Sequence, residues 1–331
     1  MPIPREILYL TEADVKKTLT VAEAVDLAEK GIKANSAGNV SGDKFYYNVG
    51  KNGFVKPFSG YIDGEEYTFV KTFSFFPINA EKYNRATTSS MVILLDAETG
   101  LAACLMEASW VTGLKTAAST AVTSSYLANP DSEIATIFGV GTLGRLHLIA
   151  LAERFKLKRA FLVDIKPEVA KACASELEPM LGFPVEAMSL EKRKRAVSKS
   201  DIIITVTTGN QALFEHGWLK PGAFIARLGS YQEVDHDVIT KADKVIVDCW
   251  KYVSPRISEI IALVDKGEFS PESVHAEWPD IVAGRVPGRE KRDEIIVYIA
   301  LGIWGEYAAI LPEVYRKAKS LHLGLSLPCS Y

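Results

Sequence analysis

The sequence predicts an α/β protein in which a Rossmann-type, doubly wound parallel sheet is joined to a second α+β domain. Three observations carry that prediction. Residues 132–164 run strand, glycine-rich turn, helix, strand and acid. From Ser132 to about Asp248, short β-branched runs alternate with helix-like stretches, which is the order of a parallel sheet. Before about residue 125 the pattern differs, with two capped helices followed by strands dense in aromatic residues. At 331 residues the chain is long enough for two domains, placed at 126–305 and at 1–125 joined by 306–331.

The N-terminal part opens on a short strand at Leu8–Leu10. Thr11 then caps a helix with acids in its first turn, and Thr20 caps a second at 21–31. Residues 39–64, rich in Gly, Asn and Tyr, read as loops and hairpins. Tyr67–Pro77 is a strand with Lys71 in its middle. A lysine in such a run is a local conflict of the kind that marks functional sites. An exposed edge strand guarded by a lysine is the other reading. Met91–Asp96 and Leu101–Met106 pair as a hairpin, and Val111–Leu127 is helical, with Lys115 and Thr116 in its first half.

In the middle, Ile134–Phe138 is the length of a buried strand. In the turn Gly139-Val140-Gly141-Thr142-Leu143-Gly144, the first glycine permits a tight turn. The second lets backbone approach a pyrophosphate, and the third lets helix and strand pack closely. Phosphates would sit on the free N–H groups of the helix start. Asp164, twenty residues beyond Gly144, closes the next strand, where a carboxylate accepts from a ribose 2′-OH. The pattern predicts dinucleotide binding. Asp164 favours NAD over NADP, since a carboxylate repels a 2′-phosphate; Lys166 softens that preference. Strands at 202–206, 224–228 and 245–248 follow. Ligands bind outside the carboxyl ends of such strands, which brings Thr207, Gly229, Ser230 and Tyr231 to the cofactor. Val286–Arg289 is a turn. Glu294–His322 is expected as one long helical stretch, with Tyr298, Trp304 and Tyr307 serving packing.

Composition narrows the function further. Apolar residues at 48%, charged residues at 24% and a net charge of −3 give no reason for nucleic acid or an acidic membrane surface as partner. MPIPREILYL lacks a secretory pattern, and no run of 18 apolar residues occurs. Cys104, Cys173, Cys249 and Cys329 form no CxxC, as expected of free thiols in a reducing, cytoplasmic compartment. The five histidines show no metal-ligand spacing, so no metal is predicted.

Read together, LYLTEADV, FVKTFSFFPIN, LLDAETGLAACLMEASWVTGLKTAAS, IFGVGTLGRLHL, LKPGAFIARLGSY and GRVPGREKRDEI resemble the ornithine cyclodeaminase and mu-crystallin family. That family also holds archaeal alanine dehydrogenase and cyclic-imine reductases. The likeness covers nearly the whole chain. It implies an NAD(P)-binding domain in the middle, a substrate and dimerisation domain from the two ends, a homodimer, and imine chemistry at the Cα of an amino acid. It implies Lys71 as the catalytic lysine. It implies a cofactor lining of Thr87, Thr116, Gly139, Val140, Gly141, Thr142, Leu143, Gly144, Asp164, Ile165, Thr207, Arg227 and Leu228.

Three departures matter. Lys115 stands where the family's arginine clamps the substrate carboxylate, and Lys44 takes the place of an upstream arginine. Lysine is a point charge where arginine is a bidentate fork. Tyr231 lies where the cyclodeaminase carries an aspartate, and Glu233, Asp235 and Asp237 stand nearby as possible substitutes. The expected activity is an NAD(H)-dependent reductase or dehydrogenase acting on the C=N bond or Cα-amine of a small amino or imino acid. Lys71 would move the proton or bind the acid, while Lys44, Lys115 and Tyr231 would bind substrate. The alternatives are a deaminating cyclisation with recycled NAD, or a non-catalytic NAD-binding protein.

Overall fold

The computed structural model describes residues 6–50, 53–229 and 231–329. Ser230, expected at the cofactor, lies outside the described residues. The chain divides into two compact units, Met1–Lys115 with Trp304–Tyr331, and Thr116–Ile303.

The first unit is built on a mixed sheet. Its strands run in the order Leu325–Pro328, Glu6–Leu10, Ala102–Glu107, Thr88–Asp96, Tyr67–Phe75, Gly53–Ile62 and Val40–Lys44, with Tyr47–Val49 also paired to Gly53–Ile62. Residues 39–64, expected as loops and hairpins, thus give three strands. Tyr67–Phe75 is a central strand, antiparallel to both neighbours, so Lys71 is not an edge-strand guard. Both threonine caps form as predicted: Thr11 with Asp14 and Thr20 with Glu23 make reciprocal capping boxes. The second of these helices, Val21–Ser36, packs on the C-terminal helix Gly305–Ser320 through two glycines. A Cβ on Gly31 would stand 2.3 Å from the Gly305 carbonyl oxygen.

The second unit carries the predicted parallel sheet. Its order is Val185–Met188, Arg159–Val163, Ile134–Phe138, Ile202–Thr205, Phe224–Arg227, Ile296–Ile299, Lys244–Val247 and Ala276–Glu277. The central strands are buried apart from the partly exposed Ile134, as β-branched runs flanked by helices should be. One correction concerns Glu294–His322. Ile296–Ile299 is a strand inserted between Phe224–Arg227 and Lys244–Val247, and the helix begins only at Gly305. A short buried apolar run has the same local signature in either state, and sheet pairing decides it.

The division between units falls inside the helix Ser109–Leu127, ten residues before the expected boundary at 125, and again at 303–304 rather than 305–306. The second half of that helix belongs to the parallel-sheet unit through its side chains. Thr120 bonds His147, the Tyr126 ring packs edge-on against Trp278, and the Leu127 carbonyl accepts from Arg289.

Candidate functional site

In the first unit, strand register assembles a lysine-rich face. Lys71 stands opposite Phe58, and Phe73 opposite both Lys56 and Ser90. Lys44 stands opposite Phe58 on its other side. Cross-strand partners share a face, and so do residues two apart on one strand. Lys44, Lys56, Phe58, Phe69, Lys71, Phe73 and Ser90 therefore lie on the same side of the sheet. The helix Gly305–Ser320 covers it with Tyr307, whose ring meets Phe58 at 5.3 Å and Phe69 at 5.9 Å.

Lys71 is 1% exposed. Its Nζ donates to Ser90 Oγ at 3.1 Å and lies 4.9, 5.2 and 5.5 Å from the ring centroids of Phe58, Tyr307 and Phe73. Burial, then the charges of Lys56 and Lys115, push its pKa well below the ordinary lysine value. A buried amine of this kind exchanges its proton far more readily than a solvated one, which suits acid–base work. Lys115 is also buried; its Nζ is 3.1 Å from Glu306 Oε1 and 5.0 Å from the Tyr307 ring. Burial raises the Tyr307 phenol well above its usual range, so it stays protonated. Lys44, Lys71 and Lys115, read separately from the sequence, thus belong to one unit and one charged, aromatic environment. Tyr307, expected as packing, stands over two of these lysines. Tyr298 does serve packing, against Trp278 at 6.0 Å.

In the second unit, the glycine loop has the geometry its sequence requires. Gly139 has φ of +84°, and a Cβ there would meet the Val206 carbonyl oxygen at 2.7 Å. A Cβ on Gly144 would fall 2.1 Å from the Gly139 carbonyl oxygen, so turn and helix are in direct contact. Gly141 borders open space and caps the helix Thr142–Arg154 with no side-chain hydrogen bond. The first N–H groups of a thirteen-residue helix are therefore left to an anion, at the positive end of its dipole. Asp164 Oδ2 accepts from the Val140 N–H at 3.0 Å and Oδ1 from the Lys166 N–H at 2.9 Å. The acid predicted to meet a ribose also ties the loop to the following strand. Leu143, in the first turn of that helix, and Ile165, just beyond the strand Arg159–Val163, are exposed. These features fit a dinucleotide: a bare helix start for the pyrophosphate and a carboxylate for the ribose. Thr116 lies in this unit, with its carbonyl accepting from Thr120 Oγ1 at 2.9 Å; Thr87 lies in the first, its carbonyl accepting from the Phe76 N–H at 2.7 Å.

Two buried acids organise the remaining strand ends. Glu233 accepts from Thr205 Oγ1 at 2.7 Å, Thr207 N–H at 2.6 Å, Thr207 Oγ1 at 2.9 Å and Gly229 N–H at 2.7 Å. Glu259 accepts from the guanidinium of Arg227 at 2.6 and 3.1 Å and from the N–H groups of Glu233 and Val234. Arg227 also donates to the carbonyls of Gly229 and Tyr231. The Arg227 side chain, at a strand end expected to line the cofactor, is fully buried and holds the 228–233 loop. Glu233, considered as a substitute base, is engaged in that scaffold. Asp235 caps the helix His236–Thr240, and Asp237 accepts from the His216 N–H and Lys241. Tyr231, at 40% exposure, is the residue of this loop that faces solvent most openly among those with described side chains.

Sequence reasoning missed Lys56, Glu306, Tyr307 and Glu259. Lys56 carried the same signal as Lys71, a lysine within a run of strand-forming residues, Phe54-Val55-Lys56-Pro57-Phe58. Glu306 carried one too, as an acid at the start of a largely apolar helix.

Comparisons with known proteins follow the same lines. The sequence model of the ornithine cyclodeaminase/mu-crystallin family matches residues 5–322. N-((2S)-2-amino-2-carboxyethyl)-L-glutamate dehydrogenase of Staphylococcus aureus is 34% identical over 256 residues, covering 75% of this chain and 74% of that one. Among solved structures, Thermococcus litoralis Δ1-pyrroline-2-carboxylate reductase in complex with NADH and L-proline superposes with a TM-score of 0.91 at 29% identity. It covers 97% of this chain and 100% of its own. An archaeal alanine dehydrogenase dimer with bound NAD gives 0.89 at 26% identity, covering 97% and 99%.

Proposed function

The chain belongs to the ornithine cyclodeaminase/mu-crystallin family, and from that premise we propose that it is an NAD(H)-dependent reductase or dehydrogenase of a small amino or imino acid, working at a C=N bond or Cα-amine. The observation that carries this reading is Lys71, an amine sealed under Phe58, Phe73 and Tyr307 and hydrogen-bonded to Ser90. The named activities of the relatives support it.

When bound, NAD(H) would supply hydride chemistry at the imine carbon or, in the reverse direction, at the amine-bearing Cα. The chain's own residues do the rest. The 139–144 loop and the start of its helix hold the pyrophosphate, and Asp164 accepts from the ribose. Thr87, Thr116, Ile165, Thr207 and Leu228 belong to the same proposed lining, and Arg227 supports it through the loop. Lys115 and Lys44 hold the substrate carboxylate as point charges, with Glu306 fixing the Lys115 ammonium. Lys71 moves the proton at the substrate nitrogen or carboxylate. Tyr231 is part of the same proposal as a substrate-binding residue. Engagement of Glu233, Asp235 and Asp237 elsewhere weighs against the cyclodeaminase reading.

We also propose a homodimer. Val70 and Ile93, paired on the sheet face opposite Lys71, are 40% and 41% exposed. A sheet face of exposed β-branched residues suits a second copy. Among the described residues no helix is long and apolar enough to cross a membrane, and the cysteines are free thiols. A cytoplasmic location is part of the same proposal.

The test follows NADH absorbance over cyclic imino acids and over 2-oxo acids supplied with methylamine, each repeated with NADPH. Oxidation of NADH faster than NADPH is the expected result. Silence on every substrate, with NADH still bound, would overturn the reductase reading. NADPH preferred over NADH would remove the role given to Asp164.

A further inference from the structure

We propose that Ser90 is a positioning residue for the reaction: its hydroxyl aims the Lys71 nitrogen and steadies the ammonium form more than the amine. The inference rests on the reductase reading above and deepens it, by naming the group that sets the state of the proton carrier.

Register brings the pair together. On adjacent antiparallel strands, Phe73 stands opposite Ser90 and Lys71 opposite Val92. Ser90 and Lys71 are therefore diagonal neighbours on one sheet face, a separation that a long side chain spans. A lysine nitrogen rides on a flexible four-carbon stem, so its direction is set by the group that receives it. Here Nζ donates to Ser90 Oγ at 3.1 Å, with Lys71 1% and Ser90 4% exposed. The serine itself is held on both sides. Its strand, Thr88–Asp96, pairs with Tyr67–Phe75, and the Ser90 carbonyl accepts from the Ala108 N–H at 2.9 Å. Ala108 is the residue before the helix Ser109–Leu127, which carries Lys115.

The surroundings give that hydroxyl its importance. Lys44 and Lys56 share the sheet face with Lys71, Lys115 comes from the helix Ser109–Leu127, and Tyr307 comes from the helix Gly305–Ser320. Glu306 is bonded to Lys115 at 3.1 Å. Burial keeps the Tyr307 phenol protonated, and it pushes the Cys104 thiol, further along the face, up to about 12. Burial, Lys56 and Lys115 all drive the proton off Lys71. The Phe58, Phe73 and Tyr307 rings attract a cation through their faces but give it no lone pair. Ser90 gives one. A hydroxyl accepts from an ammonium and donates to an amine, so one fixed oxygen can partner Lys71 in both states. The two bonds are unequal, because a hydrogen bond from a charged donor is roughly twice as strong as a neutral one. Ser90 thus opposes the push of its neighbours, and whichever way the proton moves its hydroxyl turns between acceptor and donor.

The experiment compares full-length wild type with Ser90→Ala and Ser90→Thr in two ways. NADH oxidation on an accepted cyclic imino acid gives kcat/KM against pH. Separately, with neither cofactor nor substrate present, Lys71 is titrated by NMR in protein made with isotope-labelled lysine, its signal assigned by its loss in Lys71→Met. In Ser90→Ala the Lys71 midpoint should fall by about half to one pH unit. Loss of a bond that favours the charged form lowers the midpoint, so the alkaline limb of the profile should move to lower pH by the same amount. With the nitrogen no longer aimed, kcat should fall ~10-fold while KM changes by less than about threefold. Threonine keeps the hydroxyl and should restore both the midpoint and most of kcat. Ser90→Cys, whose sulfur is a weak acceptor, repeats the test should alanine not fold, and its midpoint should lie below wild type. A midpoint that stays or rises in the variant without the hydroxyl would overturn the inference. So would a midpoint lowered equally in Ser90→Thr, since packing and not the hydroxyl would then be responsible. No NADH oxidation by wild type on any imino acid would overturn the reductase reading, and the NMR midpoints would still decide whether Ser90 holds the ammonium.

Discussion

Replacing Lys71 with methionine should stabilise the protein and abolish its turnover, and both effects follow from one buried amine. Methionine keeps the length of the aliphatic stem among Phe58, Phe73 and Tyr307 and removes the charge. In the folded state, burial and then the Lys56 and Lys115 charges hold the Lys71 pKa well below 10.5. In the unfolded chain it returns to ~10.4. Between those two values the unfolded state holds more protons than the folded one. Stability of the wild type therefore rises with pH through that window, by up to ~1.4 kcal/mol per pH unit, and the penalty is complete below the folded value. Methionine has no such penalty. Its cost is the hydrogen bond to the buried Ser90 hydroxyl, ~1–2 kcal/mol. About one to one and a half pH units between the two pKa values offset that cost, so with a pKa held well below the ordinary value the variant should be the more stable at pH 7, and its advantage should shrink toward pH 10. Urea denaturation of both proteins at several pH values measures the difference directly. NADH oxidation on an accepted imine should fall about 10²–10⁴-fold, the usual range for loss of an acid–base group. A wild-type-minus-variant stability difference that stays constant from pH 7 to 10 would refute the depressed lysine. Turnover within a few-fold of wild type would refute its place in the chemistry.

Two further substitutions probe the parallel-sheet unit. Glu259→Gln leaves the fully buried Arg227 guanidinium without its carboxylate, an unpaired charge costing about 3–5 kcal/mol. Thermal unfolding should fall by on the order of 10 °C, with much of the loss recovered in a Glu259→Gln, Arg227→Met double variant; a change under about 1 kcal/mol would mean that the pair does not hold the loop. Gly144→Ala places a Cβ against the Gly139 carbonyl oxygen, 2.1 Å away before any adjustment. Forcing the turn away from the helix should weaken NADH binding, followed by fluorescence titration, about tenfold or more; a Kd within twofold of wild type would show that the loop geometry does not set cofactor affinity.

What could be read without coordinates is what neighbouring residues impose on one another. The Thr11 and Thr20 caps, the glycine turn at 139–144 and the acid at 164 are local statements. They concern backbone torsion, an unfilled helix start, or a strand of a given length, and each is complete within some thirty residues of sequence. Lys71 was legible for a related reason, because a charge in an apolar strand conflicts with its own surroundings. Tertiary structure decided what depends on pairing between distant segments. Ile296–Ile299 is a strand because Phe224–Arg227 and Lys244–Val247 each accept it as a neighbour, and nothing within the four residues says so. Arg227 turns inward because Glu259, thirty-two residues on, receives it. Lys56 joins Lys71 because of the register between two strands, and Tyr307 joins Lys71 because a helix more than two hundred residues away lies on that sheet face. Local torsion and periodicity declared the elements and the cofactor loop. Register and helix docking, which no local window contains, brought the lysines and their rings together.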